Sequence, residues 1–233
     1  MTLDAIGAPV SLLIDGNGSE QLAQAVRSAW ENCLRDTADA APSRVVRVFL
    51  DSDPERVAAA TDDETIAGSD EHVVMEWLTA RVTLEGIESQ HGRLWMLHAC
   101  GLADPASGAT IVLVRPSGTG KTTAARILGR MFGYVSDETV AIDPDGSIVA
   151  YPKPLSLIEG GSQPKRQRSP RELGLVEAPR QPWLAAVAML DRRDRGGDSA
   201  VQAPAVTALR TVDALPALAA QTSALQRPLT PST

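Results

Sequence analysis

Cysteine is scarce in this chain. Only Cys33 and Cys100 occur, each inside an apolar periodic segment, so they read as small buried hydrophobes and not as a disulfide, a metal pair or a nucleophile. Positive charge is in deficit: the net charge is -7 and the pI near 5.0, which argues against a sequence-independent nucleic-acid binder, since that needs a basic face to displace counterions. No apolar run approaches the length of a membrane span, and Met1-Thr2-Leu3-Asp4 has neither a basic nor an apolar leader pattern. No nucleic-acid or membrane partner is therefore expected, and a cytoplasmic location is. There is no internal repeat. What remains is a chain of 233 residues, 43% hydrophobic, with room for one large or two small domains and a sizeable core.

The most informative stretch is Ile111-Val112-Leu113-Val114-Arg115-Pro116-Ser117-Gly118-Thr119-Gly120-Lys121-Thr122-Thr123. An apolar strand feeds a glycine loop ending in Gly-Lys-Thr, the composition of a phosphate-binding loop. Glycines let backbone N–H groups close on phosphate oxygens, a lysine reaches the outer phosphates, and a threonine hydroxyl can ligate Mg²⁺. Pro116, Ser117, Gly118, Thr119, Gly120, Lys121, Thr122 and Thr123 are thus the candidate ATP-binding residues. Arg115 stands where the motif has its first glycine, and a positive φ there would cost on the order of 1 kcal/mol. An ordinary strand, turn and helix would explain Gly118 and Gly120. It has no use for Lys121, one of three lysines in a chain whose other strong bases are all arginine.

The spacing predicts a helix over 122–132 with Ala125, Leu128, Met131 and Phe132 on its apolar side and Gly133 as cap. Before it, the pattern gives a strand at 9–15, a helix capped by Ser19 with Leu22, Val26, Trp30 and Cys33 on one face, and a strand at 44–51. A short helix and connector follow at 58–67. A long helix then runs from Asp70 to about Gln90, burying Val73, Val74, Trp77, Leu78, Val82 and Ile87, and a strand occupies 94–100. After the loop helix, 139–142 and 147–150 form a hairpin about the turn Asp143-Pro144-Asp145-Gly146, whose acids read as turn formers. The basic stretch 160–171 reads as a mobile loop, 185–190 as an apolar strand ending at Asp191, and 212–225 as a weak helix. Residues 1–90 are expected to form an N-terminal α/β segment of unknown role, and 91–233 a nucleotide-binding domain with an Ala/Pro-rich tail.

Leu97-His98-Ala99, the glycine loop, one helix and then Phe132-Gly133-Tyr134-Val135-Ser136-Asp137-Glu138-Thr139-Val140-Ala141-Ile142 follow one another in an order that resembles the HPr serine kinase/phosphorylase family and its shorter kinase-like relatives. Tyr151-Pro152-Lys153-Pro154-Leu155 and Leu190-Asp191-Arg192 look like features of those relatives too. The resemblance covers residues 94–192. Asp137 matches the first aspartate of the family's pair, and Glu138 replaces the second; residues 1–90 do not resemble the N-terminal domain of the bifunctional enzymes. The resemblance implies an α/β fold in which a P-loop domain has a mixed central sheet of the HPr kinase and phosphoenolpyruvate carboxykinase type.

It also implies roles. Asp137 would accept the proton of an attacking hydroxyl or hold Mg²⁺ with Thr122, with Glu138 as a further metal candidate, while Lys121 offsets charge on the transferred phosphoryl group. His98 would bind phosphate or steer protons; as an ordinary residue it would be a hydrogen-bonded core histidine. Lys153, Lys165, Arg166, Arg168 and Arg171 would close over phosphate, dock an acidic or peptide substrate, or form a solvated loop, the more frequent role of a charge run. Asp191 would bind metal or pair with Arg192 and Arg193. The leading expectation is an ATP- and Mg²⁺-dependent phosphotransferase acting on a hydroxyl of a peptide, small protein or metabolite, with homo-oligomerisation left open. A nucleotide-binding module that has lost chemistry comes second. A P-loop ATPase ranks third, since the strand before Asp191 supplies no following Glu.

Overall fold

The computed structural model describes residues 1–35, 44–115, 120–159, 164–190 and 205–223 and is a mixed α/β protein. The alternation of Leu3, Ala5, Val10 and Leu12 buries one face of an antiparallel hairpin, β1 (Thr2–Ala5) and β2 (Ala8–Asp15). Its two-residue turn, Ile6-Gly7, has positive φ at both positions, 57° and 77°. A β-branched residue rarely adopts that conformation, and here full burial of Ile6 and a bond from Gln90 Nε2 to its carbonyl hold it.

Helix α1 (Ser19–Ala29) begins with Ser19 as its first helical residue and Gly18 as cap, not with Ser19 as the cap. Gly16 is required there: a Cβ would lie 2.1 Å from the Leu50 carbonyl oxygen. Leu22, Val26, Trp30 and Cys33 are all buried, as their spacing predicts. Strands β3 (Leu34–Arg35) and β4 (Arg44–Leu50) follow, then α2 (Pro54–Ala60) and β5 (Thr65–Gly68). The helix expected over 58–67 thus starts earlier and gives way to a strand, because Asp53 accepts the Glu55 amide and Pro54 suits the first helical turn. These strands make a five-stranded sheet ordered β3-β1-β2-β4-β5, with β2, β4 and β5 parallel.

Helix α3 (Glu71–Ser89) is capped by Asp70, which accepts the His72 and Val73 amides, and it packs on this sheet through Val74, Met75, Leu78 and Val82. Trp77 is half exposed, contrary to expectation; at 100° per residue it falls about 115° from the centre of the face that those four define, on the flank of the helix.

The second sheet is built around β6 (Trp95–Ala103), antiparallel to β7 (Ala109–Val114). After α4 (Lys121–Leu128) come β8 (Gly133–Ser136), β9 (Thr139–Ile142) and β10 (Ile148–Val149), the last two forming the expected hairpin. Strand β11 (Leu155–Leu157) pairs with β12 (Arg166–Arg168), so part of the stretch read as a loop is a strand. Strand β13 (Val176–Glu177) joins β8, β14 (Trp183–Met189) joins β7 in parallel, and α5 (Thr211–Ala220) packs near β6. The sheet is mixed and seven-stranded. Among the described residues, no helix is long and apolar enough to cross a membrane.

Helix α4 ends four residues before the expected Phe132. Gly129 caps it, its carbonyl is taken by the Val176 amide, and Gly133 opens β8 instead of capping a helix. Met131 and Phe132 are consequently exposed, as is Ile111 on β7.

The N-terminal core runs into the second sheet, with Met96, Ala141 and Tyr151 in the same cluster as Trp30 and Leu78. Trp30 is fully buried, with its ring 6.2 Å from that of Tyr151, whose hydroxyl lies 3.0 Å from Thr83 Oγ1. Trp30→Ala should therefore cost about 3–5 kcal/mol in urea unfolding. A loss below about 1 kcal/mol would mean that this junction does not hold the two sheets together.

Candidate functional site

The candidate site forms where β8 and β9 break alongside the middle of β6. The lower half of β6, Trp95 to His98, pairs with β9 and its upper half, Gly101 to Ala103, with β8. Asp137 and Glu138 sit in the gap, and the Ala99 amide donates to the Glu138 carbonyl at 3.1 Å. Gly101 allows the two strands to share one neighbour, since a Cβ there would meet Val135 and Val140 at 3.1 Å.

Helix α4 brings the loop residues to this gap. Gly120 caps it at φ 100°, a left-handed conformation that suits glycine, and offers no side-chain acceptor to the first-turn amides. Lys121 is buried, with Nζ donating to the Arg115 carbonyl at 2.6 Å. Burial lowers its pKa, while Asp137 opposes that shift. Thr122 Oγ1 donates to Asp137 Oδ2 at 2.9 Å, and Thr123 is exposed. Pro116, Ser117, Gly118 and Thr119 lie outside the described residues, as does Asp191. Among the described residues Ile6 is the one non-glycine with positive φ, so Arg115 bears no such strain in place of the motif's first glycine. Its Nη1 is buried without a hydrogen-bond partner.

Asp137 is buried and accepts on both oxygens: from Thr122 on Oδ2 and from the Tyr134 hydroxyl on Oδ1 at 2.9 Å. Burial and the Asp137 charge together push the Tyr134 phenol well above its ordinary pKa, so it stays a donor. Lys153, 1% exposed, completes the group, with Nζ 2.8 Å from Glu138 Oε2 and 3.6 Å from Asp137 Oδ1. Burial alone would lower its pKa, but Glu138 and Asp137 outweigh burial and raise it; Lys153 in turn holds Glu138 below the usual carboxylate value. Of the five basic residues considered from sequence, Lys153 alone hydrogen-bonds this acidic pair. Lys165 meets Glu76, Arg166 meets His72, Arg168 meets Glu159 and Glu172, and Arg171 meets Glu31.

His98 sits on β6, and its ring bonds the Glu138 main chain. Burial, then the Lys121 charge, depresses its pKa below the ordinary 6.5, against the pull of Glu138. The unfolded chain therefore binds a proton at His98 more readily than the folded one. The stability this gives is fully present above pH 6.5 and is lost as pH falls through the lower folded value. Thermal melts should show a lower Tm at pH 5.5 than at pH 7.5, and His98→Gln should shrink that difference. An unchanged difference would place the acid sensitivity elsewhere.

Cys33 and Cys100 are buried free thiols, and burial pushes Cys100 up to about 12, so both behave as core residues. Asp145 accepts the Ser147 amide at 2.8 Å and is a turn former. A cleft of about 820 Å³ lies between the β3 and β13 regions and shares Tyr134 with the acidic network, but is lined by none of His98, Lys121, Thr122, Asp137 or Glu138.

Two members of the network, Tyr134 and Lys153, carry more than their sequence suggested. The signal for Lys153 was its rarity and its place between Pro152 and Pro154, which hold the segment extended. No model of a known protein family matches the chain, and no curated protein matches it significantly.

Proposed function

We propose that this chain is an ATP-dependent phosphotransferase of the HPr serine kinase type, with a P-loop at 116–123 in a nucleotide domain related to that of phosphoenolpyruvate carboxykinase. The observation that carries this reading is the 2.9 Å bond between Thr122 and Asp137, which joins the end of the glycine loop to an acid from another strand. The buried, unpartnered Nη1 of Arg115 at the head of the loop adds a donor suited to an anion.

The donors also fit Mg²⁺. Thr122 and Asp137 are hard oxygen ligands, and the described residues contain no group of three or more His, Cys, Asp or Glu side chains able to hold a metal ion. Mg²⁺ is commonly held in this way, by one or two protein oxygens with phosphates and water completing its shell. Once bound, the ion would offset charge on the outer phosphates. Thr122 and Asp137 would hold it, Lys121 would leave the Arg115 carbonyl for the transferred phosphoryl group, and the acceptor hydroxyl would approach beside Asp137, Glu138 and His98. The acceptor is a hydroxyl of a peptide, small protein or metabolite.

A specific observation favours a second reading, an ATP-binding module without turnover. Asp137 already meets Thr122, Tyr134 and Lys153, so both of its oxygens are occupied before an acceptor hydroxyl arrives. An assay that counts ADP against free phosphate, beside a thermal-shift titration with Mg-ATP, separates the two. Stabilisation with ADP formed in excess of free phosphate supports the transferase, stabilisation without ADP formation supports the silent module, and no stabilisation sinks both.

A further inference from the structure

We propose that Lys153 is the resident cation of the acidic pair, a positioning residue that aims Asp137 at Thr122 and fills the Glu138 side of the site, so that the chain takes one divalent cation and not two. The inference rests on the ATP-site reading and deepens it.

Adjacent acids beside a triphosphate can support two metal ions, one on each side, as in two-metal phosphoryl-transfer sites. In this chain the second side is taken. Lys153 Nζ lies 2.8 Å from Glu138 Oε2 and 3.6 Å from Asp137 Oδ1, and it donates to the Pro154 carbonyl at 3.1 Å. Glu138 and the Pro154 carbonyl lie within hydrogen-bond reach of the ammonium, and Asp137, at 3.6 Å, adds an ion-pair contact.

The side chain is also fixed in place. It is 1% exposed, it lies between two prolines, and its own carbonyl accepts from the Tyr134 hydroxyl at 3.3 Å. That hydroxyl meets Asp137 Oδ1 as well, so Lys153 constrains the carboxylate both directly and through Tyr134. With Oδ1 turned toward Tyr134 and Lys153, Oδ2 is left facing Thr122. A second divalent ion at Glu138 would have to sit against this ammonium and near His98 and Lys165, the other basic groups acting on Glu138.

The test counts Mn²⁺ per chain by electron paramagnetic resonance at saturating non-hydrolysable ATP analogue. The wild type should bind one ion. Lys153→Met, which keeps the length of the side chain and removes its charge, should bind two, with the first held roughly 10–100-fold more weakly because Asp137 is no longer aimed. Lys153→Arg should restore one. A merely structural lysine would not change the count when removed, so a single ion in Lys153→Met overturns the proposal, and so do two ions in the wild type. Should Lys153→Met fail to fold, the wild-type and Lys153→Arg counts still decide, since two ions in either overturns it. No binding of the analogue to the wild type would instead sink the ATP-site reading, and this inference with it.

Discussion

Lys121→Ala should lose phosphate transfer by roughly 10²–10³-fold, the scale seen when one preorganised donor to a developing charge is removed. The side chain is buried at the start of α4 and donates to the Arg115 carbonyl, so the cation is stored at the mouth of the glycine loop. Phosphoryl transfer leaves a protein little covalent chemistry to perform; it positions groups and offsets charge, and under the proposed function Lys121 is the cation for that task. The fold should survive, because Lys153 still lies against Asp137 and Glu138 when Lys121 is removed. Two readouts check this: ADP formed in excess of free phosphate, and the rise in Tm with Mg-ATP, which should vanish in the variant. A Tm rise equal to that of the wild type would remove Lys121 from the site.

Asp137→Asn should have a comparable effect on turnover, roughly 10²–10³-fold, and should also weaken the fold, which separates it from Lys121→Ala. The carboxylate is the hub between Thr122, Tyr134 and Lys153. An amide of the same shape can accept on one side only, so either Thr122 or the Tyr134 and Lys153 pair meets a donor instead of an acceptor. Breaking a buried ion pair typically costs 3–5 kcal/mol; with Glu138 still 2.8 Å from Lys153, about 3 kcal/mol is expected in chemical unfolding. Full phosphoryl transfer by a correctly folded Asp137→Asn protein would reject the role given to this acid.

The α/β class was legible because the apolar runs at 10–14 and 111–114 and the helical spacing of Leu22, Val26 and Trp30 are local patterns that the backbone translates directly. The nearness of Asp137 to Thr122 could be anticipated from motif order. The helix end at Leu128 could not, because it is set by the Val176 amide, 47 residues further along, which takes the Gly129 carbonyl. Nor could the burial of Lys153. Its charge reads as a solvent-facing residue in any local window, and what draws it inward is a pair of acids from another strand joined by the Tyr134 hydroxyl. Trp77 erred the other way, an apolar residue assigned to a face that the helix turns from the sheet. Local pattern thus gave the elements, while buried polar partners depend on which elements meet.

The most direct test is a crystal structure of the chain with Mn²⁺ and a non-hydrolysable ATP analogue. The terminal phosphate should lie on Lys121 Nζ, with the metal bound by Thr122 Oγ1 and facing Asp137. A triphosphate seated instead in the cleft between the β3 and β13 regions, or ordered at residues 116–123 with Asp137 turned away from it, would contradict the proposed chemistry.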